Sequence, residues 1–61
     1  MTRKDYVMIA QVFRTAINYE KDFNKNQESA KAIQSVAEFM AGVLAQDNPR
    51  FDRDRFIKAI N

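Results

Sequence analysis

Few groups in this chain could do covalent chemistry. Its 61 residues include no Cys and no His. Thiolate nucleophiles, imidazole bases and zinc sites built on either are therefore excluded. Ser29 and Ser35 have no imidazole to activate them, so a Ser-His-Asp relay cannot exist within the chain. Carboxylates come close together as Glu20 with Asp22 and as Asp52 with Asp54. Each pair is two positions apart, which on a helix sends the side chains to different sides. The only glycine, Gly42, cannot supply a phosphate-cradling glycine loop, and nothing in the pattern argues for a magnesium ion held by carboxylates alone. The expectation is a non-enzymatic protein with no catalytic residue, no cofactor and no metal site.

Cations offer a second kind of chemistry. Arg50, Arg53, Arg55 and Lys58 gather in the last third of the chain, and Arg3 and Lys4 would join them if the chain ends meet. Guanidinium forks suit phosphate oxygens, so nucleic acid or a nucleotide is the alternative partner. Against it, Asp47, Asp52 and Asp54 interleave with these cations, and the net charge is only +2 with the signs interspersed. Capping and local ion pairing around a turn is the preferred account of the cluster. The breaks are also not those of a helix-turn-helix motif.

The elements that position these groups follow from spacing. Thr2 and Asp5 form a helix-start signal. Behind it Tyr6, Ile9, Ala10, Phe13, Ala16, Ile17 and Glu20 recur on one face, with Val12 and Phe23 at its edge, which predicts a helix over about 3–22. Asn24 or Asn26 can cap a second helix, predicted over about 26–46. Ala30, Ile33, Val36, Ala37, Met40 and Leu44 form its main face, and Ala32, Phe39 and Val43 a second apolar strip. Ala41 and Gly42 are expected to permit a close helix crossing. Pro49 ends that helix by Asp47. Asp52 then caps a third helix over about 53–60, with Phe51 and Phe56 at the spacing of a hydrophobic staple. The fold class is all-α: a helical hairpin of two long helices plus a short C-terminal helix, one domain over 1–61. Phe13, Ile17, Ile33, Val36, Met40, Leu44, Phe51 and Phe56 are the expected core.

Such a small domain buries only about 60% of the surface of its unfolded chain, and without cysteine no disulfide can reinforce it. Met8, Tyr19, Ala32, Phe39 and Val43 exceed what a hairpin and one short helix can cover. Met8, Tyr19, Phe39 and Val43 are therefore the candidate protein interface, with self-association as a homo-oligomer the first expectation and a different protein the second. No secretory pattern is expected at the start, and no run approaches the ~20 apolar residues of a membrane span. A cytoplasmic location without membrane contact is the corresponding expectation.

The opening Met1-Thr2-Arg3-Lys4-Asp5-Tyr6 and the segment Asp47-Asn48-Pro49-Arg50-Phe51-Asp52-Arg53-Asp54-Arg55-Phe56 resemble a group of short bacteriophage and prophage proteins. These proteins start M-T-R-K-D-Y and carry N-P-R-F-D-R-x-R-F near their end. The resemblance implies expression in the cytoplasm of an infected bacterium and a small accessory role exerted by binding, such as modulation of a host process or defence. It carries over no functional residues.

Overall fold

A computed structural model of the chain describes residues 2–61, with three α-helices and no strand among them. Met1, the first residue of the opening motif, lies outside the described residues. Helix α1 spans Arg3–Asn18, α2 Gln27–Asp47 and α3 Arg53–Ile60. This is the all-α architecture expected from the sequence: two long helices in a hairpin and a short third one folded onto it.

Local chemistry sets the boundaries. The Thr2 hydroxyl accepts from the Asp5 N–H at 3.4 Å, and the Asp5 carboxylate accepts from the Thr2 N–H at 2.9 Å. This reciprocal pair satisfies two donors that a helix start otherwise leaves open. The Thr2 N–H, and after it the Thr2 hydroxyl, hold the Asp5 carboxyl below the ordinary aspartate value of 3.8. Asn26, the second of the two possible caps, starts α2 by accepting from the Ser29 N–H at 3.0 Å. The side-chain amide of Asn24 instead donates to the Glu20 carboxylate.

The first helix departs from expectation at its end. Regular α geometry stops at Asn18, and Tyr19–Phe23 form a π-helical turn. The wider turn sets the Tyr19 and Phe23 rings parallel, with centroids 5.3 Å apart and planes 4° from each other. It closes with the Asn24 N–H on the Tyr19 carbonyl at 3.1 Å and the Asn26 N–H on the Glu20 carbonyl at 2.8 Å. Between them Lys25 takes φ 55°, the left-handed position that reverses the chain.

The core is thin. Ala10 and Ile17 of α1, Ala30, Ala37, Ala41 and Leu44 of α2, and Phe56 and Ile60 of α3 are buried. Phe13, Ile33, Met40 and Phe51 pack half-buried against them. Val36 corrects the expected core, because it is 56% exposed. It lies 100° around the helix from Ala37, and α2 turns Ala37 and Ala41 inward instead. Ala41 does sit at the helix contact, but Gly42 does not: a Cβ there would meet nothing within 4 Å.

Asn48 organises the link to α3. Its carbonyl accepts from the Phe51 N–H and its side-chain oxygen from the Arg50 N–H, both at 3.0 Å. Its amide donates to the Tyr6 hydroxyl at 3.1 Å, tying the end of α2 to the start of α1. Asp52 caps α3 by accepting from the Arg55 N–H at 3.0 Å. The Phe51 and Phe56 rings meet at 5.4 Å as the staple requires, and Tyr6 packs edge-on to Phe51 at 4.6 Å.

Candidate functional site: the open flank of the hairpin

α1 and α2 each bury one line of residues and expose another. Met8, Val12, Thr15 and Tyr19 follow a four-three-four spacing on α1 and its π-turn, and Ala32, Val36, Phe39 and Val43 repeat that spacing on α2. Each set falls within an arc of about 60°. Measured from the centre of the residues that each helix packs into the core, the stripe is rotated in the same sense by about 145° on α1 and about 120° on α2. Because the hairpin is antiparallel, rotations of one sense turn both stripes toward the same flank of the molecule. α3 occupies the other flank, where Phe56 and Ala59 face Tyr6, Val7 and Ala10.

The stripes are open to solvent. Phe39 is 77% exposed, Val12 68% and Val43 64%. Met8 and Tyr19 are more than half exposed, and Phe23 extends the α1 stripe through its stack on Tyr19. An open groove of about 770 Å³ runs beside the α1 stripe, with Ile33 of α2 in its lining. Scattered apolar side chains are normal on a surface, whereas a continuous apolar face is typical of a contact surface.

Of the four expected interface residues, Met8 and Tyr19 line that groove together, while Phe39 and Val43 are exposed on α2 outside its lining. Reasoning from sequence missed Val12, Val36 and Phe23 as members of the same face. Their spacing from Met8, Phe39 and Tyr19 carried the signal, but only the packing of Ala37 and Ala41 decides which strip of α2 is covered.

The basic cluster is divided. Arg50 and Arg55, together with Arg3, line a cleft of about 470 Å³ whose lining also includes Tyr6, Asn48, Phe51 and Asp52. Arg53 and Lys58 border a separate depression with Glu38, Asp54 and Asn61. Arg3, at the start of α1, joins Arg50 and Arg55 beside Ala59 of α3, while Lys4 is outside both linings. Ser35, one of the two possible nucleophiles, donates its hydroxyl to the Lys31 carbonyl at 3.1 Å, and Ser29 belongs to the α2 cap.

No protein-family model matches the chain, nor does any curated protein or solved structure at a significant level. Among the described residues, no helix is long and apolar enough to cross a membrane.

Proposed function

We propose that this chain is a non-enzymatic protein-binding module whose working surface is the open flank of the α1–α2 hairpin. What supports the reading is that each long helix exposes a stripe of large apolar side chains, and that helical geometry turns both stripes away from the flank that α3 covers. Large side chains left in water over a contiguous face are compensated when a second protein covers them. Tyr, Phe and Met are residue types enriched in such contacts. The resemblance at the two ends supports a phage-encoded accessory protein acting in the cytoplasm of the host, where it modulates a host process or defence by binding.

The test compares proteins retained from bacterial lysate, including a co-expressed untagged copy, by tagged wild type, Phe39→Asp and Arg50→Gln. Phe39→Asp is expected to lose the retained partner while keeping its helical circular dichroism, and Arg50→Gln to keep it. Retention indifferent to Phe39→Asp would contradict the reading.

A second reading takes its support from the cleft at the α1–α3 junction. Arg3, Arg50 and Arg55 there face a single acid, Asp52, whose carboxylate already caps α3. That surplus of guanidinium beside Tyr6 and Phe51 suits a nucleotide or another phosphate-bearing aromatic ligand. Titrating a nucleoside monophosphate should then release heat that Arg55→Gln abolishes and Arg53→Gln retains. No heat at low salt removes this reading, as does equal loss in both variants.

A further inference from the structure

We infer that the open flank is covered by a second copy of this chain, so that α1 and α2 of two molecules close a bundle of four long helices with each α3 on the outside. The inference rests on the reading of that flank as a binding surface and names its partner.

Surface area gives the first argument. The chain exposes 4788 Å², whereas a folded monomer of 7.1 kDa is expected to expose about 4100 Å². The observed 4788 Å² exceeds that expectation by roughly 700 Å², close to the ~800 Å² that each partner gives to a specific interface.

Shape gives the second. The four-three-four spacing on both stripes is the seam used when helices pack at about 20° to one another. α1 with its π-turn spans residues 3–23, and α2 spans the 21 residues of Gln27–Asp47. The two arms are therefore equal in length, and a second hairpin matches the face from end to end. A twofold interface also requires a patch that complements itself, which the apolar stripes do, with Glu20 and Gln11 in the groove beside them. Of the eight stripe positions only Thr15 is polar.

The composition of the core gives the third. Four of its eight buried residues are alanines, and among the described residues no large side chain is fully buried. A core of this kind leaves a small domain marginal, and burying Phe39, Val36, Val12 and Tyr19 between copies would supply the large side chains it lacks. α3 already covers the opposite flank, so pairing displaces nothing.

The chain has no cysteine, which makes single-cysteine variants a direct test. Val12→Cys and Val36→Cys place thiols on the face, and Lys58→Cys places one on α3. With a flexible bismaleimide reagent, the two face variants are expected to yield at least ten times more covalent dimer than Lys58→Cys. Sedimentation should give wild type at twice 7.1 kDa and Phe39→Asp at the monomer mass. The cysteine variants keep the test decisive if Phe39→Asp fails to fold. A wild-type monomer at high micromolar concentration, with equal cross-linking at all three positions, would overturn the pairing. If the lysate experiment then still shows a different protein held through Phe39, the binding reading survives and only the second copy is wrong. If Phe39 is irrelevant there as well, both fall.

Discussion

Single residues in this chain carry separable physical roles. Lys25 holds a left-handed backbone at φ 55°, the place after a helix where glycine is usually found. A side chain with a Cβ costs about 1 kcal/mol in that conformation. Lys25→Gly is therefore expected to raise stability by up to about 1 kcal/mol in denaturant titration, and a loss would mean that the side chain contributes a contact. Gly42 is the converse case: it sits in the interior of α2 with open space where a Cβ would go. Gly42→Ala should stabilise by about 0.5–1 kcal/mol. Asp5 adds a dependence on pH. Its folded-state value lies below the ordinary 3.8, so its contribution is present above that pH and is lost as acid protonates it in the folded protein. Asp5→Asn should accordingly flatten the decline in stability on acidification below pH 3.8, as followed by melting temperature across that range.

At the scale of elements, α3 is held by its own start. Phe51 touches both Tyr6 and Phe56, and Asp52 caps the helix one residue later. Truncating half-buried Phe51 to alanine should cost about 2 kcal/mol, lowering the melting temperature by roughly 10 °C in a domain this small. An unchanged melting temperature would show that the staple is not a source of stability. The caps of α1 and α3 and the end of α2 before Pro49 are legible in the sequence, because each rests on residues within a few positions of one another. The connection from Asn48 to Tyr6 is not, since it spans 42 positions and leaves no local mark. The π-turn is equally silent: Tyr19–Phe23 read as ordinary helix, and the inserted width shows only in backbone bonds and the stacked rings.

At the scale of the whole molecule, the decisive question is which strip of α2 its neighbours cover. Val36 and Ala37 both fit a helical repeat, and the sequence offers Val36 as the better core residue by size. The structure buries Ala37 and Ala41 because small side chains let the helices approach closely, and this rotation leaves Val36, Phe39 and Val43 together in solvent. Met8, Tyr19, Phe39 and Val43 were recognisable as surplus apolar surface, but their convergence on one flank depends on that rotation. Arg53 and Arg55 lie about 200° apart around α3, so one basic cluster in sequence becomes two surfaces in space. A monomer with an alanine-rich core and an uncovered apolar flank has more to gain from association than from any single internal contact.

Thermal melting across a hundredfold range of protein concentration tests that claim most directly. If two copies cover each other's open flanks, dissociation accompanies unfolding, and the melting temperature rises by about 5 °C for each tenfold increase in concentration. Phe39→Asp should melt lower and show no such rise. A wild-type melting temperature independent of dilution, equal to that of Phe39→Asp, would contradict the account.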